Sequence, residues 1–169
     1  MSEASDIPTA MKHALRRFAK SVSIVTSNHD GEDYAMAATA VCELCLDPPT
    51  IMVCINRAAA FHRTMDIADY FCINVLDEAQ QDVSVACGGQ LQGEEKFSVG
   101  RWEVHERTGL RFLPDALSSF ICHKQQAMVW GTHTMFVGIV KEVFEHESSD
   151  PLVYLDGAYF SCKPLNVED

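Results

Sequence analysis

No run of about 18 apolar residues occurs in this chain, so no stretch of it is built to cross a bilayer as a helix. Positive charge is also scarce: 13 Lys and Arg stand against 24 Asp and Glu, a formal net charge of −11. So acidic a surface repels phosphate backbones and anionic membranes, and neither nucleic acid nor a membrane is expected as a partner. An anionic ligand would need a local cationic corner. No G-x-G-x-x-G follows a strand and no G-x-x-x-x-G-K-[ST] exists, which removes both common nucleotide-phosphate cradles. H-E-x-x-H and G-x-S-x-G are absent too, and with them the commonest hydrolase signatures. The opening "MSEASDIPTAMKHALRRFAK" lacks the apolar centre of a secretory signal. Seven cysteines, an odd number set among apolar neighbours, read as free thiols of a reducing compartment, so the expected location is cytoplasmic.

What the chain does have is 47% hydrophobic residues over 169 positions, enough for one domain with its own core. It is read as a single domain, 1–169, with a core over about 14–160. Met11, Leu15 and Phe18 recur at helical spacing behind Pro8, which predicts a short helix whose apolar stripe docks on the fold. "SVSIVTS" from Ser21 reads as a strand, turned at Asp30-Gly31 into a second strand running through "AMAATAVCELC". Pro48 and Pro49 cannot donate ladder hydrogen bonds, so that strand stops there and "TIMVCIN" begins another. Phe61, Met65 and Ala68 predict a helix, "YFCINVL" a buried strand, and Asp77 with Gln80 the start of a helix carrying Ala79, Val83 and Ala86. Cys87 to Gly100 is too glycine-rich and polar for either element and reads as the longest loop. Four strands follow from Ala116, with turns at Trp130-Gly131 and Ser148 to Pro151. About seven strands, three short helices and no β-helix-β alternation favour a mainly β fold, an antiparallel barrel with peripheral helices.

Ala35-Met36-Ala37-Ala38-Thr39-Ala40 has minimal side chains in a strand, where alanine is disfavoured because it packs poorly. Either the run is an Ala-lined core strand, or a flat ligand fills the space beside it. Cys42 and Cys45 form a C-x-x-C, but residues three apart on a strand face opposite sides, and no second ligand pair exists, so no metal site is expected. Arg57, Arg63 and Thr64 after the next strand are candidates for a phosphate, against the plainer reading of a solvated loop entering a helix. His133, between two threonines after a glycine turn, is either a functional residue or an ordinary surface histidine.

Taken in order, these stretches resemble the flavin reductase family built on the FMN-binding split barrel. Ala35 to Ala40 sits where that family has a G-M-T-A-N-S type run, and Leu46-Asp47-Pro48-Pro49 matches its L-D-P-P corner. "VCIN", "FCINVL", "EEKF", "GTHTMFVGIV" and "PLVYLDGAY" match further motifs in the same order. Within the family the chain is most similar to reductase components of two-component flavin-dependent monooxygenases, of the 4-hydroxyphenylacetate 3-monooxygenase type. The resemblance implies hydride transfer from NADH to FMN or FAD, with reduced flavin passing to a partner oxygenase. It implies that Met36, Ala37, Ala38, Thr39, Ala40 and Cys45 face the flavin, and that Asn56, Arg57 and Thr64, with Lys96, approach its phosphate tail. His133 would lie beside the nicotinamide, in a homodimer with flavin near the subunit interface. Where the family has Ser or Thr, this chain has Ala58, Ala59 and Ala60, so the resemblance implies phosphate binding that is either weaker or carried by Arg57, His62 and Arg63. A flavin-binding or delivery module without catalysis is the alternative from another functional class.

Overall fold

The computed structural model describes residues 6–147 and 150–163. Helix α1 (Ile7–Leu15) opens it, with the Asp6 carboxylate accepting from the Thr9 N–H and Pro8 in the first turn. Then come β1 (Lys20–Ser21), β2 (Ser23–His29), β3 (Glu32–Ala38), β4 (Val41–Leu46), β5 (Pro49–Asn56), helix α2 (Ala60–Ile67), β6 (Tyr70–Val75) and helix α3 (Gln81–Val85). The rest is β7 (Glu103–Val104), β8 (Arg111–Phe112), β9 (Ser118–Trp130), β10 (His133–Glu145), β11 (Leu152–Leu155) and β12 (Ala158–Ser161). The expected turn at Ser148 to Pro151 lies partly outside the described residues.

Seven strands form one antiparallel sheet in the order β3-β2-β6-β9-β10-β5-β4. β1, β11 and β12 form a three-stranded sheet, and β7 with β8 a ribbon. One core cluster packs Val53, Ile55 and Phe136 of the sheet against Phe61 and Met65 of α2 and Phe71 of β6. A second packs Val22 and Ile24 against Leu76, Val83, Leu113 and Leu152. Val25 joins the first cluster and Ile24 the second, so β2 is covered on both faces. That is why "SVSIVTS" reads as a continuous run rather than an alternating one. Between the layers, buried Asn74 donates to Ile24 O and accepts from Leu113 N and Ser119 Oγ.

Several expectations change. The stretch from Ala35 is not one strand: β3 ends at Ala38, and the Ala40 carbonyl already accepts from Cys54 N of β5 at 2.9 Å. The chain therefore leaves β2 for β5 across Thr39 and Ala40. The ladder does not close on itself, because β3 and β4 are the two ends of the sheet. Cys87 to Gly100 is not irregular throughout. Ala86–Gln90 makes a π-turn, possible because Gly89 takes φ +123, and Gly93–Ser98 makes a 3₁₀ turn. α1 has no buried residue, so its apolar stripe does not dock as expected.

The C-x-x-C geometry is also different. A register shift between Glu43 and Cys45 sets Cys42 opposite Met52 and Cys45 opposite Thr50. Thr50 and Met52 are two apart on β5, so the bulge brings both cysteines to the same face. The opposite-face argument fails here because an inserted residue resets the alternation.

Candidate functional site

The end of β5 and the start of β10 make one corner. Their register sets His133 opposite Asn56, and the β9–β10 hairpin sets Trp130 opposite His133. The Arg57 N–H donates to Thr132 O at 2.9 Å, which pins the residue after β5 to that hairpin. Asn56 Oδ1 accepts from Ala58 N, and Asn56 O from Ala59 N, both at 2.9 Å, turning the chain into α2. The cap residue Ala59 offers no side-chain acceptor: the His62 N–H donates to Ala59 O at 3.0 Å, and no side chain caps the start of α2. Arg57 is exposed and has no carboxylate partner among the described residues. A free guanidinium beside a helix start without a side-chain cap suits an anion. The His133 ring is exposed, its Nδ1 2.9 Å from Thr132 Oγ1.

Two residues grouped with this corner on sequence serve the core instead. Thr64 is only 4% exposed and sits on the buried side of α2 with Phe61 and Met65. His62 Nε2 lies 2.8 Å from Thr134 Oγ1 and its ring tilts against Phe136, so it ties α2 to β10. Trp130, which the sequence shows only as part of a turn, is a further neighbour of this corner. Its indole is 79% exposed, which is unusual for the largest apolar side chain.

The alanine run forms a second region. Ala35 and Ala38 are buried, Met36 packs toward the first core cluster and Ala37 toward the second. β3 is a sheet edge, and Lys96 Nζ donates to Ala35 O at 2.8 Å across it. The ammonium therefore ties the 3₁₀ turn to β3. Beneath it, burial pushes the Cys87 thiol up to about 11, against a smaller downward pull from Lys96. Cys87 is a neutral thiol at physiological pH. Thr39 is half-buried and rims a cavity under α1, while Ala40 is exposed.

Cys45 stands apart from both regions. Its Sγ donates to Pro48 O at 3.0 Å, and its partner Thr50 is six residues before Asn56 on β5. At ~3.3 Å per residue that is ~20 Å from the His133 corner.

Fold and site together define a mainly antiparallel β protein with short peripheral helices and a cationic corner at one end of its sheet. The model of the flavin reductase like domain matches residues 15–163, and the chain belongs to that family. A relative named as the reductase component of an FADH(2)-dependent resorcinol hydroxylase, from Rhizobium sp. (strain MTP-10005), is 34% identical over 155 residues, 90% of this chain and 86% of its own. An FMN reductase (NADH) RutF from Agrobacterium fabrum (strain C58) is 34% identical over 148 residues, 88% of this chain and 84% of its own. Among solved structures, BorF, the flavin reductase component of a bacterial two-component tryptophan halogenase, aligns with a TM-score of 0.85 at 29% identity, covering 94% of this chain and 99% of that one.

Proposed function

We propose that this protein is an NADH:flavin oxidoreductase that reduces FMN or FAD and supplies the reduced flavin to a separate monooxygenase. The observation that carries the reading is the 34% identity to an FMN reductase (NADH) over 88% of this chain. The relative that serves a resorcinol hydroxylase supports the delivery step. A non-catalytic flavin carrier is the second reading. Catalytic amounts of protein with excess FMN and NADH separate the two: many NADH molecules oxidised per protein support the enzyme, and at most one supports the carrier.

The open sheet is compatible with a split barrel. Its two edge strands are joined by Thr39 and Ala40 alone, so Ala38 and Val41 are three residue steps apart, at most ~11 Å, and the sheet must curl for those edges to approach. The corner fits a flavin phosphate. Arg57 supplies charge, the α2 N–H groups supply donors, and Asn56 shapes the turn that aims them. Thr64 contributes by seating α2 rather than by touching the ligand. Met36, Ala37, Ala38, Thr39 and Ala40 set the wall of the ring site, and Lys96 holds that wall by its bond to Ala35 O. Cys45, opposite Thr50 at the other end of β5 from Asn56, lies away from the phosphate corner.

Bound flavin supplies the acceptor for the nicotinamide hydride. The chain's part is to hold two rings close and aligned, because positioning supplies most of what a bimolecular transfer lacks. His133 orients the nicotinamide nucleotide without donating a proton, since a hydride carries both its electrons.

An apolar outer face supports a homodimer. Register places Cys42, Met52, Cys54, Met135 and Met128 on the side of β4-β5-β10-β9 opposite the core residues Val53, Ile55 and Phe136. Met128 and Trp130 there are 56% and 79% exposed. A second copy would bury them. No helix among the described residues is long and apolar enough to cross a membrane, and the cytoplasm is the proposed location.

A further inference from the structure

A cavity of about 610 Å³ opens beneath α1, with Thr39 on its rim. It has two kinds of wall. Met11, Leu15 and Phe18 line an apolar side, and Lys12, Arg16, Lys20 and the carboxylate of Asp156 line a charged one. Arg16 Nε donates to Asp156 Oδ1 at 2.7 Å, and Asp156 N donates to Arg16 O at 2.9 Å. That pair anchors the C-terminal end of α1 to the β11–β12 turn. Lys12 and Lys20 keep no carboxylate partner among the described residues. Met11 and Phe18 are 59% and 60% exposed, so no side chain of the described protein fills the space they face.

In a chain of net charge −11, two unpaired lysines against an aromatic wall of Phe18 and Tyr154 form a local attractor for a ligand both anionic and flat. The volume is in the range that receives small molecules, roughly 300–1,000 Å³. We propose that the cavity receives the adenosine diphosphate end of a dinucleotide, with its phosphates toward Lys12 and Lys20 and its purine against Phe18 and Tyr154. The proposal rests on the flavin reductase reading, in which NADH and FAD both carry that moiety and FMN does not. Thr39, at the end of β3, would then link this cavity to the flavin wall.

Calorimetric titration with ADP reads the cavity without any turnover. Wild type should bind ADP, K12E and K20E should bind it about tenfold more weakly, and K141E, an equal charge change on β10, should match wild type. Turnover arms then identify the source. A KM raised in K20E for NADH but not for reduced nicotinamide mononucleotide assigns the NADH end, and weaker FAD binding with unchanged FMN binding assigns the FAD end. Absence of ADP binding to wild type, or identical behaviour of K12E, K20E and K141E, overturns the assignment. If ADP binds but NADH is not oxidised with either flavin, the cavity stands and the reductase reading fails.

Discussion

Residue identity decides two roles that look alike on paper. Arg57 and Lys96 are both cations near the expected flavin, yet Lys96 is half-buried and bonded to Ala35 O while Arg57 is exposed and unpaired. Of these two, Arg57 is the one whose side chain has no partner among the described residues. His133 and His62 divide in the same way: His62 is held by Thr134 and Phe136, and His133 points outward at the end of the sheet. His133→Ala is therefore expected to raise the KM for NADH with kcat nearly kept. A fall of roughly 100-fold in kcat at unchanged KM, in steady-state assays, would instead assign it acid–base chemistry. The sequence marked His133, Asn56 and Arg57 through motif order. It could not separate them from Thr64, because four residues into a helix the facing side is set by packing.

At the scale of elements, the β9–β10 hairpin pairs the two longest strands, 13 residues each. Where it crosses β6, Gly138 leaves room for Phe71: an added Cβ would stand 2.5 Å from Phe71 Cζ, 2.6 Å from Cε1 and 3.0 Å from Cys122 Cβ. Phe71 is fully buried and has nowhere to move. Gly138→Ala should cost ~1–3 kcal/mol by overpacking, measured as a lowered urea midpoint. Further along β10, hydrogen bonds from Arg107 and then His105 hold the Glu142 carboxyl below its ordinary 4.5. The folded protein thus favours the charged form, and the resulting stability is present above the ordinary value and lost as pH falls through the lowered one. The Tm difference between wild type and Glu142→Gln should be largest near neutrality and shrink on acidification below 4.5, followed by thermal melts at stepped pH. The hairpin was legible, since its two 13-residue strands flank a plain Trp130-Gly131 turn. The bulge at Glu43 to Cys45 was not, because nothing in local composition distinguishes an inserted residue from an alternating one.

At the scale of the whole molecule, the apolar outer face gives the clearest expectation. Trp130→Glu should convert a dimer to a monomer in sedimentation velocity, and a wild-type protein that sediments as a monomer would contradict the dimer. The sequence by itself determined the mainly β class, the family, the helix start at Asp77, and the absence of a Rossmann phosphate loop. These are local or ordered features, and a linear chain displays them directly. The tertiary structure alone decided that β3 and β4 are sheet edges, that Lys96 is already engaged, that Cys45 lies at the far end of β5 from His133, and that α1 shelters a cationic cavity. Each depends on which distant segments share a surface. That is set by the burial of the two core clusters as a whole and not by any window of residues along the chain.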